Sequence, residues 1–309
     1  MDLLKSILLW GSKNPFLCNK LPRYGFVKRA VKKFMPGEDI PAALSVAQEF
    51  RPYAIKNIFT HLGENIIDLS EADEVTRHYL TALDQIDESG LKISISLKLT
   101  QIGFDLSEEA TLNNFKSIIE IAGNKNILVW IDMEDSSYTD QTINFYKTVK
   151  PEYHNTGICL QAYLLRTEAD INNMLDIKPN IRLVKGAYLE SPEIAFPKRR
   201  DVDENYFNLA IMMLDRLKEG SMTPTFATHD NQLLSHIADY AKVNNIKPED
   251  FHVNMLYGIK SGLQKSLAKQ GYDVAVLISY GEAWFPWYMR RLAERPANLW
   301  FVLKNMFRG

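Results

Sequence analysis

The sequence predicts an α/β protein folded as a single closed (β/α)8 barrel, and three observations carry that expectation. After about residue 50 the chain alternates eight apolar runs with segments of helical spacing, which is the rhythm of strand-helix repeats. No G-x-G-x-x-G turn follows an early run, as it would in an open doubly wound sheet. The length, 309 residues, suits one large domain, and no low-complexity or Gly/Ser linker divides it.

Taken in order, residues 1–50 read as a helical extension packed on the barrel, and residues 51–309 as the barrel itself. The apolar patch Ile7–Trp10 is too short for a secretory leader, and no stretch approaches the roughly 18 apolar residues that span a bilayer. A basic run from Arg23 to Lys33, interleaved with Phe26, Val27 and Val31, suits a solvated helix against the barrel or peripheral contact with an anionic membrane. The strand runs are 54–60, 92–99, 126–132, 157–164, 180–187, 223–228, 251–257 and 273–279. Between them, Ser70 with Asp73 resembles a capping box, and Ser107 precedes Glu108 and Glu109, where a helix dipole favours acids. Val202, Tyr206, Leu209, Met213 and Leu217 share a helix face, and Gly220 suits the position just past its end. A last helix is expected to stop before Pro296.

Composition narrows the function. A formal net charge of −2 gives no footprint for nucleic acid. Cys18 and Cys159 stand in no metal or redox spacing and read as reduced thiols of a cytoplasmic protein. No metal site is expected.

A barrel of this kind places its chemistry where the strands end. In the run Lys92–Lys98, strict alternation sends Ile93, Ile95 and Leu97 towards the helices and Ser94, Ser96 and Lys98 to the interior, with Lys98 at the mouth. Asp132 ends the next run, within reach of an ion pair with Lys98. Arg182 interrupts the apolar run Ile181–Val184 and calls for a buried anion as partner. Lys185, Gly186 and Ala187 join a cation to small residues that let a ligand approach backbone. Thr228 and His229 end the sixth run, beside the strand carrying Lys185. Arg290 and Arg291 diverge by about 100° on their helix and either flank a ligand or pair along a surface, as Arg290 with Glu294.

Together these segments resemble the proline dehydrogenases, in their short monofunctional bacterial form. The resemblance covers nearly the whole chain. It is carried by Ser96–Gly103, Ile131–Ser136, Leu160–Tyr163, Arg182–Tyr188, Phe226–His229 and the Arg290-Arg291-x-x-Glu294 pattern. It implies flavin adenine dinucleotide (FAD) in the barrel mouth, oxidation of proline to 1-pyrroline-5-carboxylate, and a quinone as electron acceptor. The next enzyme of the route would be a separate protein. On this resemblance Arg290 and Arg291 clamp the substrate carboxylate, Lys98 adds a cationic contact and Tyr188 borders the substrate. Asp132 and Arg182 take the catalytic positions, Asp132 orienting Lys98 and the flavin-side network, Arg182 near the hydride-accepting N5. Met133, Gln161, Val184, Lys185, Gly186, Ala187, Thr228, His229 and Glu294 hold the cofactor. Glu64 partners an active-site arginine from behind.

The chain departs from the family at the pocket walls. Leu277 and Trp287 stand where tyrosines are usual, and Asp230 where asparagine is common. Hydroxyproline or another cyclic secondary amino acid is therefore an alternative substrate. A Schiff-base lyase using Lys98 or Lys185, and a non-catalytic flavin-binding or scaffold protein, are the more distant readings.

Overall fold

Eight runs of β-branched and aliphatic residues become eight parallel strands because each can bury both faces, one on the barrel interior and one on a helix. The computed structural model describes residues 14, 31, 34–63 and 66–285. Its strands are β1 Lys56–His61, β2 Ile93–Leu97, β3 Val129–Ile131, β4 Thr156–Gln161, β5 Asn180–Val184, β6 Thr223–Ala227, β7 His252–Leu256 and β8 Asp273–Tyr280. Each pairs with its sequence neighbours, and β8 pairs with β1, so the sheet closes. The expected fold class stands.

The helices are α1 Ile40–Phe50, α2 Leu69–Ser89, α3 Glu108–Asn124, α4 Thr139–Val149, α5 Thr167–Asn172, α6 Arg199–Lys218, α7 Asn231–Val243 and α8 Ser261–Lys269. Their ends follow from local chemistry. Asp39 caps α1 by accepting from Ala42 N, and Ser107 caps α3 by accepting from Ala110 N. Helix α6 ends as its spacing predicts, with Gly220 at φ +69° donating to Leu217 O. The start of α2 differs from expectation. Its cap is Asp68, which accepts from both Glu71 N and the Ser70 hydroxyl, so Ser70 lies inside the first turn. A carboxylate two residues upstream outcompetes a hydroxyl for the free amides.

Of the N-terminal extension, the described part is α1 and the turn before it. Ile40, Ala43, Val46, Ala47 and Phe50 are buried in the shell between strands and helices. The apolar patch at residues 7–10, nearly all of the basic run and the helix expected over 287–295 lie outside the described residues.

The alternation read from β2 holds: Ile93, Ile95 and Leu97 join the helix-facing core, while Ser96 is fully buried inside the barrel. A smaller core fills the interior, where Ile58, Trp130 and Ala275 meet Leu128 and Leu277. Trp130 fits because its neighbour on β4 is Gly157, at which a Cβ would stand 2.5 Å from the indole. At the N-terminal end, the Asp273 carboxylate accepts from Lys56 Nζ at 2.6 Å and hydrogen-bonds His252 Nδ1 at 2.8 Å. These three residues tie together the first positions of β8, β1 and β7.

Candidate active site at the C-terminal mouth

The polar network of the mouth begins one layer above Trp130. Register places Ser96 of β2 beside Trp130 of β3 and Cys159 of β4 beside Arg182 of β5. The Arg182 side chain runs over the indole, its Cζ 4.9 Å from the ring centroid. Its Nη2 donates to the Asp132 carboxylate and, at 2.8 Å, to Ser96 Oγ. Ser96 Oγ donates in turn to Asp132 Oδ1 at 2.9 Å. The buried anion that Arg182 demanded is thus Asp132.

Lys98 begins the turn after β2, where Gln101 holds the backbone. Gln101 Oε1 accepts from Lys98 N, and its amide donates to His61 O and Gly63 O at 2.9 and 2.7 Å. One buried side chain therefore joins the exits of β1 and β2.

Cys159 is a free, buried thiol, and burial pushes its pKa up despite the nearby Arg182. On the same strand Gln161 donates to Glu134 O at 3.1 Å, which fixes the turn containing the buried Met133. Two polar atoms of this layer, Arg182 Nη1 and Gln161 Oε1, are buried without a hydrogen-bond partner among the described residues. Buried polar atoms are rarely left so in the absence of a ligand or water.

Past β5 the chain turns through Gly186 at φ +108°. A side chain there would overlap the Tyr163 ring, so glycine is required twice over, by conformation and by contact. Lys185 Nζ pairs with Asp203 of α6 and, at 3.1 Å, with Asp230 at the start of α7. Burial pushes the Asp230 pKa up, but the Lys185 hydrogen bond and charge outweigh it, so the net shift is downward. Thr228 Oγ1 accepts from Asp230 N, and His229 Nε2 accepts from Leu256 N at 2.8 Å, which puts the ring proton on Nδ1. Val184, Ala187 and Tyr188 are half-buried along the same rim. Leu277 is half-buried against the interior core.

The structure therefore gathers Lys98, Asp132, Met133, Gln161, Val184, Lys185, Gly186, Ala187, Tyr188, Thr228 and His229 on or beside the C-terminal ends of β2 to β6, with Arg182 within β5 and Leu277 within β8 against the interior core. Glu64, Trp287, Arg290, Arg291 and Glu294 lie outside the described residues. Sequence reasoning did not single out Trp130, Asp203, Tyr163 or Gln101. Asp203 falls on a solvated helix turn and carries no local signal, while Tyr163 and Gln101 lie inside motifs of the resemblance without a role assigned to them.

Comparison with known proteins adds a separate line of observation. Residues 43–304 match the model of the family described as proline dehydrogenase. The chain is 38% identical over 306 residues to Proline dehydrogenase 1 of Bacillus subtilis (strain 168), covering 99% of this chain and all of that one. It is 34% identical over 283 residues to Proline dehydrogenase of Deinococcus radiodurans, 90% of each chain. Among solved structures, proline utilization A (PutA) from Bdellovibrio bacteriovorus, inactivated by N-propargylglycine, is similar in fold with a TM-score of 0.81 at 23% identity. That likeness covers 95% of this chain, which spans 36% of the longer protein. A closed eight-stranded barrel, a family match across most of it and relatives aligned from end to end agree: this chain belongs to the proline dehydrogenase family.

Proposed function

We propose that the protein is an FAD-dependent oxidoreductase that oxidises L-proline to 1-pyrroline-5-carboxylate in proline catabolism, with a quinone as electron acceptor. The observation that carries the cofactor reading is the pair of orphaned buried atoms on the adjacent strands β4 and β5, Gln161 Oε1 and Arg182 Nη1. One is a donor and the other an acceptor, which suits a planar ring edge presenting both kinds of atom. When bound, the flavin supplies the two-electron acceptor that no side chain provides.

This chain's own residues then bind and orient. Arg182, held by Asp132 and Ser96, presents a fixed guanidinium. Gln161 and the backbone of Met133 continue that face. Val184, Lys185, Gly186, Ala187, Thr228, His229 and Glu294 form the cradle for the rest of the nucleotide. On the substrate side, Arg290 and Arg291 clamp the carboxylate, with Lys98 as a further cationic contact and Glu64 behind the arginines. Tyr188, Leu277 and Trp287 wall the ring. With leucine in place of a phenol at position 277, an apolar wall discriminates weakly, by about 1–3 kcal/mol per methylene-sized change. Proline therefore ranks ahead of hydroxyproline.

The Schiff-base reading is disfavoured because Lys185 is engaged by two carboxylates. Among the described residues no helix is long and apolar enough to cross a membrane. A cytoplasmic enzyme that touches the membrane peripherally would meet a quinone there.

The test is direct. The purified protein is denatured, the released cofactor is identified by mass, and bleaching of the flavin band is followed with proline, 4-hydroxyproline and pipecolate. FAD with fastest reduction by proline is expected. A protein that cannot be loaded with FAD, or a flavin that none of the three amino acids reduces, would overturn the reading.

A further inference from the structure

The segment leaving β5 is pinned at three points, and all three converge on Tyr163. Tyr163 N donates to Lys185 O at 2.9 Å, and Phe196 N donates to Tyr163 O at 2.8 Å. The two ends of the loop 186–195 are thereby drawn to one residue, in the manner of an Ω-loop. A bridge between Leu164 and Ala195, with Leu165 N donating to Ile194 O, continues the closure. The Tyr163 ring occupies the space above Gly186 that any side chain there would need.

The third pin is Glu190, at the middle of the loop. Its Oε1 accepts from Ser136 N at 2.8 Å and its Oε2 from Ser136 Oγ at 2.6 Å. The Tyr163 hydroxyl approaches Oε1 at 3.4 Å. Burial, and then the Glu190 charge, hold the Tyr163 phenol well above its usual pKa, so it remains a donor. Ser136 opens the short turn after β3, a few residues beyond Asp132 and Met133. The carboxylate thus spans from the exit of β5 to the exit of β3, across the exit of β4.

From this geometry we infer that Glu190 is a positioning residue, a latch that holds the Gly186–Glu190 backbone in its binding conformation. Through that backbone it sets Ala187 and Tyr188. The consequence for the substrate rests on the functional reading above, in which Tyr188 borders the substrate. Charge-assisted acceptance of an N–H and an O–H at once is strong, directional and local. The exposed face of the loop contributes little: Leu189 is 74% exposed and Ser191 to Ile194 are exposed. Glu190 ties the middle of the loop to the β3 exit, while its ends are drawn together at Tyr163. A loop that is competent for only a fraction of the time weakens apparent affinity by that fraction.

The experiment compares the full-length, FAD-loaded protein with its Glu190→Ala, Glu190→Gln and Ser136→Ala variants. Amide hydrogen exchange over 186–195, and KM and kcat for proline, are read together. In Glu190→Ala the loop amides are expected to exchange at least 10-fold faster while the barrel strands are unchanged. KM should rise about 10-fold with kcat moved less than threefold. Glu190→Gln, which keeps one acceptor, should fall between this variant and the wild type. Ser136→Ala removes the serine hydroxyl but keeps the backbone donor and the Tyr163 hydroxyl, and should show a smaller loss of the same kind. It also serves as the readout if Glu190→Ala does not fold. Unchanged loop exchange would overturn the latch, and faster exchange with unchanged KM would reduce it to a structural brace. A wild-type protein that proline does not reduce would instead sink the functional reading, while the exchange result would still decide whether Glu190 holds the loop.

Discussion

Burying a guanidinium is unfavourable unless its charge and its donors are both met, and Arg182 is only 3% exposed. Asp132 meets the charge, Ser96 and Asp132 together occupy Nη2, and Trp130 faces the cation. The arrangement makes Asp132 more important to the fold than a carboxylate that is 22% exposed would otherwise be. Asp132→Asn keeps the shape and an acceptor but leaves Arg182 without its counter-charge. Removing one partner of a buried pair typically costs about 3–5 kcal/mol, and the partial exposure of Asp132 places the expected loss near 2–4 kcal/mol. Urea unfolding at pH 7 measures it. The double variant Asp132→Asn/Arg182→Met should recover part of the loss, because it removes the stranded charge. A single variant within 0.5 kcal/mol of wild type, an order-of-magnitude threshold for ordinary surface changes, would show that water and not Asp132 satisfies the guanidinium.

At the scale of one element, the exit of β1 is crowded in a way that makes it sensitive to acid. The His61 ring packs against His78 of α2, centroids 4.1 Å apart, and both rings approach Tyr280 of β8, whose hydroxyl lies 2.9 Å from His78 Nε2. Tyr79 meets His61 edge-on, and Glu38, Asp39 and Glu282 line the open cleft on the outer side. Gly281, at φ +120°, is needed because a side chain there would press on Leu62 O and the His61 ring. Burial first, and the neighbouring His78 second, pull the His61 pKa from 6.5 to about 4. Burial lowers that of His78 as well. The folded state therefore favours neutral rings, while the unfolded chain takes up protons near pH 6.5. This contribution to stability is complete above pH 6.5 and is lost progressively as the pH falls towards 4. A shift of this size corresponds to about 3 kcal/mol for a fully buried group, and partial exposure reduces it to about 2. His61→Phe keeps an aromatic ring and removes the proton site. Its urea midpoint should fall less between pH 7 and 4.5 than that of the wild type; parallel curves would mean that His61 does not carry the dependence. Nothing local in Thr60-His61-Leu62 announces this, because His78 is brought to it by the packing of α2 on β1.

Across the whole molecule, what could be read from the chain is what repeats along it. All eight strands fall within or beside the apolar runs, since a strand buried on both faces has to be written as one. The residues that end those runs came with them, and Lys98, Asp132, Lys185 and His229 are found at the mouth, with Arg182 within β5. Pairing across the barrel could not be read the same way. Arg182 announced that it needed an anion, but register alone decides that the anion is Asp132, two strands away. The same holds for the opposite end of the barrel, where Lys56, His252 and Asp273 look like unrelated strand-flanking charges in the sequence. Closure makes β7, β8 and β1 consecutive, and the Asp273 carboxylate then hydrogen-bonds both Lys56 and His252 at the seam where the last strands meet the first. Burial raises the Asp273 pKa, but the hydrogen bonds and charges of His252 and Lys56 outweigh it and hold it at about 2, against 3.8 in the free residue. A depressed carboxylate contributes stability that is present above its unfolded pKa and lost as the pH falls from about 3.8 to 2, here about 1–2 kcal/mol once solvent screening is allowed for. This acid step lies below that of His61, so the two are separable on one pH axis. Asp273→Asn should lower stability at pH 7 by about 1–2 kcal/mol and flatten the profile below pH 4, leaving the descent between pH 6.5 and 4 in place. Because the carboxylate lies at the end of the barrel remote from the mouth, KM for proline should be unchanged in the same variant. If the variant instead retains the wild-type descent below pH 4, other carboxylates govern acid unfolding and the seam is held by the β1–β8 ladder alone.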